Sequence, residues 1–337
     1  MTYPTDRARE TTRVFPGATR VRGRDHRSMA FSTHRIRSTL SALDDAPVWL
    51  NSPPLTAEGL HGRVVLIDFW TYSCVNWLRT LPHVRAWHER YGDSGLVVVG
   101  VHSPEFGFEH DLDNVRRAAH ELAVGYPVVI DNDFAIWQSF GNRYWPAAYL
   151  VARDGRVRFR HFGEGAYEEI ERAIQQLLGV DEETVRVEAA GLAEAADWHT
   201  LGSPETYVGS ARGERRSDPR DRELSLNHWA LAGEWSVGEE AGVLEAAGGS
   251  IAYRFQARDL NLVLAPPASD APVRFCVRLD GQPPGYAHGL DIDESGEGTV
   301  SEPRMYQLVR QRGPVAERRF EITFHDVGVR AYVFTFG

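Results

Sequence analysis

The stretch that most restricts the fold is Gly62-Arg63-Val64-Val65-Leu66-Ile67-Asp68-Phe69-Trp70, followed by a polar knot, Thr71-Tyr72-Ser73, and then Cys74. A nearly continuous apolar run of this length is the mark of a strand buried on both faces. Beyond it, apolar residues recur with helical spacing from about Cys74 to Tyr91, and Gly92 and Gly95 end the pattern. Strand, short turn, cysteine, helix is an order with chemical consequences. Unpaired N–H groups and the helix dipole at a helix N-terminus stabilise a thiolate, and the thiolate is the nucleophile. Cys74 is therefore expected to be a reactive thiol with a lowered pKa.

The rest of the first half continues the alternation. Leu96–Val101 reads as a second buried strand, Asp113–Leu122 as a helix, Pro127–Ile130 as a short strand and Phe134–Phe140 as a short helix. The apolar run Ala147–Val151 meets an Asp154-Gly155 hairpin turn and the alternating strand Val157–Phe162, and Ala166–Leu178 closes the unit as a helix. This order predicts an α/β domain, a mixed sheet with helices on both faces, over residues 42–180. Residues 181–225 are acidic and alanine-rich and read as a linker with some helix, ending in the loop Ser217–Arg222. From 226 to 337, short strands separated by Gly, Pro and Asp-Gly turns predict an all-β sandwich domain. Residues 1–41 form an arginine-rich N-terminal extension, with nine arginines against three acids in the first forty.

Composition narrows the function. The 337 residues carry a formal net charge of −10, and no basic face dominates, which argues against nucleic acid as a partner. All 37 basic residues are arginine, so no Schiff-base lysine enters any mechanism. Two cysteines far apart, Cys74 and Cys276, make no disulfide framework, and no apolar run suits a secretion signal or a membrane span. A cytoplasmic protein is expected. Near Cys74, the histidines and cysteines lack the paired spacing of a zinc or copper site, so no metal and no other cofactor is expected. Oligomeric state is not legible.

Three motifs in order, Asp68-Phe69-Trp70-Thr71-Tyr72-Ser73-Cys74-Val75-Asn76-Trp77-Leu78-Arg79, Gly100-Val101-His102-Ser103-Pro104-Glu105 and Asn142-Arg143-Tyr144-Trp145-Pro146, resemble actinobacterial redoxin-family, thioredoxin-like proteins. They also resemble the soluble thioredoxin-like part of DipZ-type proteins. Pro204-Glu205-Thr206-Tyr207 and the final Tyr332–Gly337 resemble that family's C-terminal β-domain. The resemblance implies a reactive-cysteine position at Cys74, a cis-proline at Pro146 and a second cysteine where this chain has Trp77. With Trp77 there, a mixed disulfide on Cys74 has no partner in its own motif to release it.

The expected function is thus a single-cysteine thiol oxidoreductase or peroxidase. Its substrate would be a small-molecule or protein disulfide, or a peroxide, and an external thiol would reset it. Thr71 stands where a peroxiredoxin threonine would, three residues before the cysteine, although Ile67 replaces the accompanying proline. His102 is a candidate base for Cys74 and Arg143 a candidate cation for the thiolate or an anionic substrate. Trp70, Tyr72, Asn76, Trp77, Glu105, Trp145 and Pro146 are expected to contact substrate, the aromatic ones together with Tyr144 as a stacking mouth. The alternative is a thioredoxin-fold protein without redox chemistry: a ligand-binding scaffold, or an enzyme of specialised metabolism using Cys74 and His102. Cys276, on the same strand face as Arg274 and Arg278, reads as a structural cysteine.

Overall fold

A computed structural model of the protein describes residues 39–219 and 223–337. The expectations for 1–38 and for the end of the Ser217–Arg222 loop lie outside the described residues. The chain divides into two compact units that do not follow a single cut in the sequence. Of the described residues, one takes 39–70, His83–Pro104 and Val124–Arg186; the other takes Thr71–Pro82, Glu105–Ala123 and those from Val187 to Gly337.

The first unit is built on a six-stranded mixed sheet. Its strands are β1 (Trp49–Leu50), β2 (Val64–Trp70), β3 (Leu96–His102), β4 (Val128–Ile130), β5 (Ala147–Val151) and β6 (Val157–Phe162), in the order β1-β4-β3-β2-β5-β6. β2, β3 and β4 run parallel, while β1, β5 and β6 are antiparallel to their neighbours. Every residue of β2 is buried, as its unbroken apolar run requires, whereas β6 at the sheet edge alternates and stays half exposed. Val65, Ile67, Phe69, Val99, Val101, Val129, Tyr149 and Val151 form the core of this unit with Leu40, Leu43 and Ile136. At Gly100 the neighbours leave no room for a side chain: a Cβ would lie 2.9 Å from both Trp70 Nε1 and the Tyr126 ring.

Among the described residues there are four α-helices, α1 (Val75–Tyr91), α2 (Leu112–Glu121), α3 (Ala135–Ser139) and α4 (Tyr167–Leu178), besides short 3-10 turns such as Thr39–Leu43 and Gly107–His110. α2 begins where Asp111 accepts hydrogen bonds from the backbone N–H groups of Asp113 and Asn114, and α4 stops at Gly179, whose φ of 78° suits a glycine C-cap. Among the described residues no helix is long and apolar enough to cross a membrane.

In the second unit, residues 206–336 form two antiparallel sheets. One runs Arg304–Arg310, Asp259–Ala265, Arg330–Phe336, Gly242–Leu244, Trp235–Val237, with Thr206–Tyr207 also paired to Arg330–Phe336. The other runs Glu297–Val300, Val273–Leu279, Glu317–Phe324, Ser250–Gln256, Trp229–Ala232. Their inner faces meet through aromatic contacts such as Tyr253–Phe334 and Phe255–Phe336, giving the sandwich expected for this region. Residues read as linker contribute a strand here, Thr206–Tyr207, and between 181 and 205 the only helical turn is Gly191–Ala193, so the expected connector helix is absent. In Val273–Leu279, Val273, Phe275, Val277 and Leu279 face the core, and Cys276 lies on the outer face with Arg274 and Arg278.

Candidate active site

Cys74 occupies the N-cap of α1. Its carbonyl accepts the first helical bond, from Leu78 N–H at 3.0 Å, and its own N–H bonds back to Thr71 O at 3.3 Å. The sulfur accepts from the backbone N–H groups of Asn76 and Trp77, the donors a helix N-terminus offers. Those donors stabilise a thiolate, but they do not prevail. Burial, then the Glu105 carboxylate, then that of Glu205, push the Cys74 thiol well above its ordinary pKa. The lowered thiol pKa expected from helix placement is therefore reversed, because burial first, and then two carboxylates from outside the motif, oppose the helix donors.

One buried carboxylate organises this turn. Glu109 accepts the Ser73 hydroxyl at 2.6 Å and, with its other oxygen, the backbone N–H groups of Glu105 at 2.6 Å and Phe106 at 3.0 Å. Burial still raises Glu109 to about 7 against these hydrogen bonds, with Glu105 adding to the rise. Glu109 thereby holds the residue before Cys74 and the backbone of Glu105 against one carboxyl group.

Glu105 is in turn engaged by residues a hundred positions later. Its Oε1 accepts Tyr207 Oη–H and Arg212 Nη1–H, each at 2.8 Å, and its side chain is only 10% exposed. Tyr207 Oη also lies 2.8 Å from Glu205 Oε2, and the Arg212 guanidinium sits 3.7 Å above the Tyr207 ring. Partial enclosure by surrounding protein and the Glu105 carboxylate lift Glu205 to about 7; the exposed position of Glu205 keeps the first effect short of full desolvation.

The expected site residues separate between the two units. Thr71, Tyr72, Cys74, Asn76, Trp77 and Glu105 are in the second, with Glu205, Tyr207 and Arg212; Trp70, His102, Arg143, Trp145 and Pro146 are in the first. Trp70, Trp77 and Tyr72 are interior residues, with the Tyr72 ring against Phe108, so the expected aromatic mouth reduces to Tyr144 and the half-buried Trp145. Apolar rings of that size gain most from burial in the core, which is where these three sit. His102 is likewise fully buried, its ring edge-on to Trp70 at 4.8 Å, which is the setting of a core histidine and not of a base open to solvent. Arg143 is exposed. The Trp145–Pro146 bond is cis, and Trp145 Nε1 donates to Ser103 O at 2.9 Å.

Sequence reasoning did not single out Glu109, Glu205, Tyr207 or Arg212, nor Asp68, which is buried in β2 and accepts Tyr126 Oη–H at 3.3 Å. A signal existed for Tyr207 and Glu205, which stand in the quoted Pro204–Tyr207 motif. Glu109 and Arg212 carry no local pattern. Cys276, half exposed beside Arg274 and Arg278, is also raised, by partial burial and by Glu297, so the arginines do not make its setting electropositive.

The comparisons with known proteins agree with this architecture. A family model described as "Thioredoxin like C-terminal domain" matches residues 203–337. The thiol-disulfide oxidoreductase YkuV of Bacillus subtilis is 30% identical over 149 residues, 44% of this chain and 99% of YkuV. The chain belongs to the thioredoxin-like family. Protein DipZ of Mycobacterium tuberculosis is 36% identical over 251 residues, 70% of this chain but 35% of DipZ, and DipZ of Mycobacterium bovis matches equally. The chain thus spans about a third of the length of these DipZ relatives. Within this family it carries Cys74-Val75-Asn76-Trp77, one cysteine followed by a buried tryptophan.

Proposed function

We propose that the protein is a single-cysteine thiol oxidoreductase with Cys74 as nucleophile. The observation that carries this reading is the cysteine at the N-cap of α1, with the Asn76 and Trp77 N–H groups on its sulfur, in a chain whose relative YkuV is a thiol-disulfide oxidoreductase. The Cys74 thiol gives up its proton and the thiolate attacks one sulfur of a disulfide. The substrate S–S bond breaks, a Cys74 mixed disulfide forms, and the departing thiolate takes up a proton. Trp77 offers no sulfur to release that adduct, so an external low-molecular-weight thiol attacks it, forms a new disulfide and restores Cys74. A cytoplasmic thiol pool would supply this reductant. With a peroxide, the same thiolate would break the O–O bond and yield a sulfenic acid, the leaving oxygen taking up a proton to depart as water or an alcohol; two equivalents of thiol would then restore the thiol, with one disulfide and water released. Pro146 is read as shaping the substrate's backbone edge, with Trp145 and Arg143 beside it.

The raised thiol favours one competing reading, a thioredoxin-fold scaffold whose redox site is retired: a thiol held protonated is a slow nucleophile at neutral pH. Mass spectrometry of the full chain after exposure to a small neutral disulfide, or to stoichiometric peroxide, separates the two. A Cys74 adduct that forms faster as pH rises and is absent in Cys74→Ser supports the oxidoreductase. No adduct at Cys74 at any pH up to 9 supports the scaffold.

A further inference from the structure

The bridge between Glu105 and Glu205 has a proton count that ordinary hydrogen bonding decides. Tyr207 Oη lies 2.8 Å from a carboxylate oxygen on each side, yet a phenol carries one hydrogen and an ionised carboxylate carries none. For both contacts to be full two-centre hydrogen bonds at this length, one carboxyl must be protonated and donate to the phenol oxygen. Arg212 decides which one. Its Nη1 donates to the same Glu105 Oε1 that accepts from Tyr207, so that oxygen already takes two donors, and Glu205 Oε2 is the partner left to carry the hydrogen. The proton therefore rests on Glu205, and the chain of donors runs Glu205 to Tyr207 to Glu105.

This relay is tied to the thiol by a second connection. Glu109 takes the Ser73 hydroxyl with one oxygen and the Glu105 N–H with the other, so the residue before Cys74 and the residue that receives the relay are clamped on one carboxyl group. The groups facing the pair are Cys74 from the start of α1, Glu109 from the 105–109 segment, and Tyr207 and Arg212 from the 205–212 segment.

We propose that Tyr207 makes Glu105 and Glu205 share a single proton, and that this pair, half of it supplied by the C-terminal region, acts as a positioning device that governs when Cys74 ionises. With the proton in place the pair presents one negative charge to the sulfur; once Glu205 loses it, the pair presents two, and the second opposes the thiolate. The C-terminal region is thereby part of the cysteine site. This deepens the reading of Cys74 as a reactive thiol but requires no redox turnover.

The test is the pH profile of Cys74 alkylation by iodoacetamide in the full chain carrying Cys276→Ser. Glu205→Gln keeps a donor for the phenol but cannot acquire the second charge. It is expected to move the alkylation midpoint to lower pH and to raise the rate at pH 8 by roughly three- to tenfold. Glu205→Asp, which restores an ionisable group, is expected to return the profile toward that of the parent. Glu240→Gln removes a carboxylate that accepts from Gly107 N–H outside the bridge, and is expected to leave the profile unchanged. A Glu205→Gln profile that superimposes on the parent, or moves to higher pH, overturns the inference, as does an equal shift in Glu240→Gln. Alkylation does not depend on disulfide exchange, so failure to trap a mixed disulfide leaves this result standing, and the reverse holds as well.

Discussion

Ser73 and Glu109, 36 residues apart, are joined by a hydroxyl–carboxylate hydrogen bond of 2.6 Å in the protein interior. That bond fixes the turn that presents Cys74. Ser73→Ala leaves a buried carboxylate one donor short and is expected to cost about 1–3 kcal/mol. Urea unfolding at pH 7.5 measures it, and a loss under 0.5 kcal/mol would show that the turn is held by other contacts.

Glu109 also predicts a pH dependence with a definite sign. Its folded pKa, about 7, lies above the value of about 4.3 for an unfolded glutamate. The folded protein thus holds this proton more tightly than the unfolded chain does, and the group's contribution falls as pH rises through that window. Relative to Glu109→Gln, the parent is expected to lose on the order of 3 kcal/mol between pH 4 and pH 8. Paired denaturation curves across that range check it; a difference that is flat, or that grows in the parent's favour, contradicts the burial argument.

The raised Cys74 thiol sets the pH response of its chemistry. Between pH 8 and 9, above the titration of Glu205, the rate of reaction with a neutral disulfide is expected to climb close to tenfold, because each pH unit multiplies the thiolate fraction by that factor. Stopped-flow or quenched kinetics suffice, and a plateau below pH 8 would mean that the helix donors outweigh burial and the carboxylates after all.

Trp77 is fully buried, so it is a packing residue in the place where the family resemblance puts a sulfur. Trp77→Ala is expected to destabilise by about 3–5 kcal/mol through the cavity it opens. Calorimetry reads this directly. A mild effect would mean that the indole contributes by touching substrate and not by filling the core.

Gly100→Ala tests the tight contact inside the sheet. Its added methyl would meet Trp70 Nε1 and the Tyr126 ring at 2.9 Å, and neither ring has room to retreat within a packed interior. A loss of about 1–3 kcal/mol is expected in thermal or chemical denaturation.

Much of the architecture could be read before any coordinates. β2 is an unbroken apolar run because both its faces are buried, and Val273–Leu279 alternates because one face is. α1 begins at Val75 where the polar knot Thr71–Ser73 ends. The cis bond at Trp145–Pro146 followed from the resemblance carried by its motif. Thr206–Tyr207 was hidden because two residues show no period, and only their pairing with Arg330–Phe336 makes them a strand. The aromatic cluster near Cys74 misled for a related reason: tryptophan and tyrosine serve equally as core and as binding surface, and burial is a property of the fold.

The strand–turn–cysteine–helix unit, the single sulfur of its motif and the β-rich second half follow from amino-acid order alone. Each of these is written in patterns a few residues long that neighbouring backbone obeys. The chemical state of Cys74 depends instead on groups that folding brings around it. Its ionisation answers first to burial, then to Glu105 and to Glu205 from more than a hundred residues away, two carboxyl groups that Tyr207 bridges. Electrostatic energy depends on distance in space and on burial, and neither is encoded in local pattern.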